Sequence, residues 1–216
     1  MKKYEFTGET KLHFGTILKR IRAAITITFA NGFRIEAGEL GGWIEKESNL
    51  DHSGNAWVSG NAEVSGNARV SGNAEVSGNA EVSGDAWVSG NAEVSGDAWV
   101  SGNAEVSGDA WVSGNAEVSG NARVSGNAEV SGDAEVSKRD HMVQIGAIGS
   151  RDAVTTFFRT KTGEIAVACG CFYGTVSEFL AKVEMTHGDS KHARVYRLAA
   201  ELAIAQIDLS PVDENN

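Results

Sequence analysis

Outside the repeated part of this chain, the residues best equipped for chemistry are Arg151, Cys169, Cys171 and His187. A guanidinium, two thiols and an imidazole, with Gly170 and Gly188 beside them, would make a small site open to close approach by a ligand, because glycine carries no Cβ. The plainer reading is structural. His187 ends a helical stretch just before Gly188, where a partial positive charge is favoured. A Cys-Gly-Cys spacing suits a disulfide poorly, since bridged Cα atoms want about 5–6 Å and converging Cβ vectors, so both cysteines are read as reduced thiols on or near a strand. A second set, Trp57, Trp87, Trp99, Trp111, Arg69 and Arg123, occupies fixed places in a repeat. Indoles and guanidinium groups are common anchors of protein interfaces, and this set is read as a binding surface. No catalytic residue, metal site or cofactor is expected: the repeat carboxylates lack the clustered oxygen ligands that calcium takes.

The second set is positioned by fourteen hexapeptides, Ser-Gly-(Asn/Asp)-Ala-X-Val, running from Ser53 to Val136 without insertion, with Glu, Trp or Arg at X. Such a period dictates architecture before local propensity does. Ala and Val lie two apart and face one side of a strand, while X faces the other. Ser-Gly-Asn is turn chemistry. Each unit is thus a short strand and a corner. The pattern, an aliphatic residue every six with a small one two places before it, resembles the hexapeptide-repeat left-handed β-helix family. That resemblance implies a parallel β-helix whose triangular, left-handed coil takes eighteen residues; ordinary handedness rules for parallel connections would favour the other hand. The block then makes four and two-thirds coils, about 22 Å long at a ~4.8 Å strand spacing. Its lumen of Val and Ala leaves no room for a ligand.

An eighteen-residue coil also sorts the X residues into columns. The first is Trp57, Glu75, Glu93, Trp111, Glu129; the second Glu63, Glu81, Trp99, Glu117, Glu135; the third Arg69, Trp87, Glu105, Arg123. The third is suited to cation–π and ion-pair contacts. The first two stack glutamates, at a cost on the order of 1 kcal/mol per exposed contact before screening. Corner aspartates Asp85, Asp97, Asp109 and Asp133 have only Asn eighteen residues away within the block. The net charge of −10 belongs wholly to residues 53–136, which hold eight Glu, four Asp and two Arg. An acidic rod repels phosphates, which excludes direct nucleic-acid binding. No apolar run reaches the ~20 residues that span a bilayer, and the N-terminus lacks the apolar stretch of a signal peptide, so a cytoplasmic location is expected.

The ends must hide open strand edges. Residues 1–52 read as a β-rich cap, with strands over Lys3–Gly8, Thr16–Thr28 and Phe33–Ala37, a turn at Asn31-Gly32, and Ile44 and Leu50 in the Ala register of a coil that begins before the clean repeats. Residues 138–209 read as an α+β unit: a strand at Met142–Ile148, a hairpin of Ala153–Arg159 and Glu164–Cys169, and a helix opened by the capping box Thr175-Val176-Ser177-Glu178 and closed by Gly188. A second helix over Ser190–Ile207 is expected to bury Val195, Leu198, Ala199 and Leu202. Residues 210–216 read as a flexible tail.

Four further segments, Leu40-Gly41-Gly42-Trp43-Ile44-Glu45, Ile148-Gly149-Ser150-Arg151, Cys169-Gly170-Cys171-Phe172 and Thr186-His187-Gly188-Asp189, give the chain a layout similar to uncharacterised hexapeptide-repeat proteins of phages and prophages. The resemblance implies no settled activity. The leading expectation is a non-enzymatic binding or scaffold protein: a phage accessory in the host cytoplasm that binds a host protein or a small-molecule signal, possessing a homo-oligomeric, by analogy trimeric, state. The alternatives are an acyltransferase-like enzyme and a structural virion protein. Acyl transfer on such coils needs a histidine base, and no repeat contains one; the closed ends argue against fibre growth.

Overall fold

The computed structural model describes residues 2–29 and 32–211. Five strands precede the repeats: β1 (Tyr4–His13), β2 (Thr16–Ala23), β3 (Ile27–Thr28), β4 (Arg34–Ile35) and β5 (Leu40–Ile44). Each X-Val pair is then a two-residue strand, giving β6 to β19 from Trp57–Val58 to Glu135–Val136. Four strands follow, β20 (Met142–Ile148), β21 (Ala153–Arg159), β22 (Ile165–Cys169) and β23 (Phe172–Thr175), and then helices α1 (Val176–His187) and α2 (Lys191–Gln206).

The repeats form a parallel β-helix of eighteen residues per coil. Each X stacks on the X eighteen residues on, as in Trp57–Glu75, Arg69–Trp87 and Glu81–Trp99, so all three columns are as expected. Every repeat Ala and Val is buried to within 1%. Every corner glycine has positive φ, and coils approach so closely there that a Cβ on Gly90 would sit 2.8 Å from the backbone of Gly108. The corner Asn side chains form ladders between coils, and all four Asp end one: Asn67, Asn79, Asn91 and Asn115 donate to Asp85, Asp97, Asp109 and Asp133 at 2.9–3.1 Å. An aspartate accepts but does not donate, which explains why each has Asn as its neighbour.

At the N-terminal end the hairpin β1–β2 extends the column-2 sheet through β5, which pairs parallel with β7. β1 continues to His13, beyond the expected Gly8, and the expected Thr16–Thr28 strand is broken between β2 and β3. The coil does start early, but Ile44 and Leu50 lie opposite Val64 and Val70, not opposite Ala. The cap coil is thus two residues longer than the others. The two extra residues fall between Leu50 and Val58, whose partners are Val70 and Val76; before them, a 3₁₀ turn at Glu47–Asn49 withdraws the Asn49 backbone N–H into a bond to Lys46 O. The fully buried Asn49 side chain takes its place, donating to Ala68 O at 2.8 Å and Gly66 O at 3.2 Å. Tyr4, Ile21, Ala23, Ile27, Phe29 and Ile35 share one core with the coils. Asn31 of the expected turn lies outside the described residues.

At the other end the sheet β20-β21-β22-β23 lies across the last coil. Its strands alternate: Phe158, Ala166 and Ala168 join the rod core, while Phe157, Ile165 and Val167 pack against the helices. Thr156, on the rod side, accepts a hydrogen bond from Glu129 N, and Lys161 N donates to Asp133 O. His141 is fully buried at this junction and accepts from Ser137 N; desolvation lowers its pKa. Strand β23 is not foreseen from sequence. The Thr175–Glu178 capping box and the Gly188 stop are present. α2 differs from expectation: it buries Ala193, Tyr196, Ala199, Ala200 and Ala203, and leaves Leu198 and Leu202 exposed. One buried aromatic and four alanines let the helix lie close to the sheet, and the large leucines sit on the far face. Residues 212–216 of the expected tail lie outside the described residues.

Candidate interaction surface

The three columns present X side chains of equal geometry but unequal electrostatics. On column 2 every glutamate meets a basic side chain. Glu63 is 2.6 Å from Lys11 and 3.2 Å from His13, and Glu81 is 3.3 Å from His13, all from the tip of the β1–β2 hairpin. Lys11 also lies over the Trp43 ring, 4.5 Å from its centroid. From the other end, Lys161 is 2.7 Å from Glu117, and Arg159 pairs with Glu135. On column 3 Arg123 pairs with Glu105 at 3.3 Å, and the expected cation–π contacts of this column are not formed among the described residues. Column 1 has no ion pair among the described residues. Desolvation raises the pKa of Glu75 and Glu129, and the charge of Glu93 raises that of Glu75 further.

The tryptophans divide. Trp87, Trp99 and Trp111 are about half exposed, one on each face, and each indole N–H donates to the serine sixteen residues back at 3.0–3.4 Å. That bond lays the ring along the rod. Trp57 departs from the expected outward display: it is only 2% exposed, sealed beneath the N-terminal cap, with Ile21 and Gly41 packed around the same space and Nε1 without a partner among the described residues. The first indole of the series is core because the cap sits on it. Two recesses flank the columns. One of ≈ 460 Å³ includes Arg69, Trp87, His52 and Asp51 at the N-terminal cap on column 3; one of ≈ 380 Å³ includes Phe29, Glu75, Glu93 and Trp111 on column 1.

The C-terminal set is partly assembled, around a residue the sequence reading did not single out. Tyr196 of α2 sits against the backbone of Gly149; its ring lies 5.8 Å from that of His187, and Arg151 and Cys169 act on its hydroxyl. Burial is the main cause of its raised pKa. Cys169 accepts from Thr155 Oγ1 at 3.2 Å, whereas Cys171 is exposed. His187 and Gly188 end α1. No group of three or more His, Cys, Asp or Glu able to hold a metal occurs among the described residues, and no helix among them is long and apolar enough to cross a membrane. The helical period of α2 offered the one signal for Tyr196; Asn49 and His141 gave none, because their roles depend on how the caps meet the coils.

Residues 53–149, a little under half of the chain, match the model of a family described as Bactofilin: Polymer-forming cytoskeletal. The match covers all fourteen repeats and runs through β20. No curated protein matches the chain.

Proposed function

We propose that this chain is a non-enzymatic scaffold that assembles with copies of itself. The match of its whole repeat block to a polymer-forming, cytoskeletal family supports self-assembly. The observation that carries the reading is the contrast between ends and sides. Both ends of the rod are covered, by the hairpin cap and by the β20–β23 sheet, which disfavours coil-on-coil growth. The sides carry three half-exposed indoles and a solid Val/Ala interior behind them. Solvent-facing indoles mark interfaces, and the filled lumen suits a stiff spacer rather than a ligand carrier. Binding of a host factor by a phage-borne protein, with Arg151 and His187 in the recognition set, rests on the resemblance alone and stands second.

The test is light scattering of the purified full chain over a concentration series, with electron microscopy of the same samples. Particles of several copies, growing with concentration, are the expected result. A monomer mass at every concentration overturns the scaffold reading.

A further inference from the structure

On column 2 every glutamate is met by a Lys, Arg or His side chain from the chain's own caps. Between the two caps one rung stays bare. Trp99 lies next to Glu81, which the hairpin tip reaches, and next to Glu117, which Lys161 reaches. The hairpin that settles the glutamates turns its other side outward. Leu12 and Ile17 are cross-strand partners on that side, 73% and 58% exposed, and Phe14 at the tip is 92% exposed. Phe14 also holds φ 42, a left-handed conformation that disfavours a bulky side chain. Its ring meets that of His13 edge-on, 4.3 Å between centroids, and the rest of it is open to a partner; backbone strain of this kind clusters at binding and contact sites.

We infer that this face is where two copies of the chain meet, antiparallel, about a two-fold axis through Trp99. The inference rests on the scaffold reading and gives it a contact. Its chemistry selects the partner. A basic protein would be drawn to column 1, whose glutamates lack cations, whereas column 2 offers an apolar centre inside settled charges, the usual anatomy of an interface core and rim. For a chain of net charge −10, this is, of the two glutamate-rich columns, the one that a second copy approaches against the weaker repulsion. The arm thickens the N-terminal half of the face. Two such stepped surfaces close on each other only when one is inverted, so that each tip fills the space beside the other copy's Trp99. A two-fold contact thereby replaces the three-fold count that the resemblance implied.

The test uses sedimentation of the full chain and three variants. Phe14→Asn removes the ring and supplies a residue that tolerates positive φ; Trp99→Glu places a charge on the axis; Asn127→Glu adds the same charge at an exposed corner between columns 3 and 1, as control. Association is expected to weaken at least tenfold for the first two and to stay at the wild-type level for the control, with urea midpoints of Phe14→Asn no lower than wild type. Trp99→Cys is expected to form a symmetric disulfide dimer under mild oxidation, above the background that the native Cys169 and Cys171 give. Wild-type association in both Phe14→Asn and Trp99→Glu overturns the assigned face while leaving the scaffold reading intact. A wild-type chain that is monomeric throughout overturns both.

Discussion

Replacing Asn49 tests whether one side chain stands in for a missing rung. Its amide is fully buried, donates to Ala68 O and Gly66 O, and accepts from Lys46 N at 2.8 Å. In the regular coils the backbone supplies such donors, as Trp57 N does to Ala74 O. Asn49→Ala strands two carbonyls and one N–H, each worth ~1–3 kcal/mol when buried and unpaired. Relaxation and partial water entry lower the sum, and a loss of about 3–5 kcal/mol is expected, a large share of an ordinary domain's stability. Asn49→Asp keeps the acceptor for Lys46 N but sets an anion against two carbonyls, and is expected to be at least as damaging. Urea unfolding followed by tryptophan fluorescence reports both, since Trp57 lies under this cap. A loss below about 0.5 kcal/mol for Asn49→Ala, or an aspartate variant clearly better than alanine, would refute the idea that the amide replaces backbone pairing.

Three further outcomes are expected. Trp57→Ala should cost about 3–5 kcal/mol as a buried large-to-small change, whereas Trp87→Ala and Trp111→Ala should cost under ~1 kcal/mol; equal losses in thermal or urea unfolding would contradict the burial difference. Lys3 is 2% exposed and burial lowers its pKa to about 8; its charged form is penalised in the fold, so wild-type stability should rise as pH climbs from about 8 towards the unfolded lysine value, and Lys3→Met should gain roughly 1–3 kcal/mol at pH 7 that shrinks by pH 10, a gain that is flat with pH counting against this. Glu75, its pKa raised first by burial and then by Glu93, carries a charge that the fold penalises, so Glu75→Gln should stabilise by up to about 1 kcal/mol at neutral pH and by less at a pH below the raised value, with only the Glu93 share shrinking in high salt; a gain that does not shrink at low pH would exclude the carboxylate charge as its cause.

What the sequence made legible and what it hid follow from the range of the forces involved. The register of Trp57 on Glu75 or Arg69 on Trp87 is fixed by the period of six, because each strand's neighbours are a constant distance away in the chain. The Thr175–Glu178 capping box and the Gly188 stop are equally local, and α1 begins and ends where those signals stand. The burial of Trp57 is not local: its X position is the same as that of Trp87, and only the cap above it differs. The inward face of α2 differs from the expected one because hydrophobicity alone ranks Leu198 and Leu202 above Ala200 and Ala203, while close packing against a sheet favours the smaller residues. Arg151, Cys169 and His187 lie around Tyr196, which comes from a helix whose inward face depends on long-range packing.

The uniform Val and Ala interior has a consequence for descent as well as for stability. Because no coil has a core particular to itself, genetic copying or loss of one hexapeptide changes the rod as a screw thread changes: the far cap advances by about a third of the ~4.8 Å strand spacing and swings by a third of a revolution. Three hexapeptides restore the heading and change only reach. Residues 107–136 repeat residues 53–82 with two changes, Asn55 to Asp109 and Asn79 to Asp133, a separation of 54 residues, or three whole revolutions. Lengthening by that step keeps the two caps facing as before, so a lineage can tune the distance between them without re-aiming either.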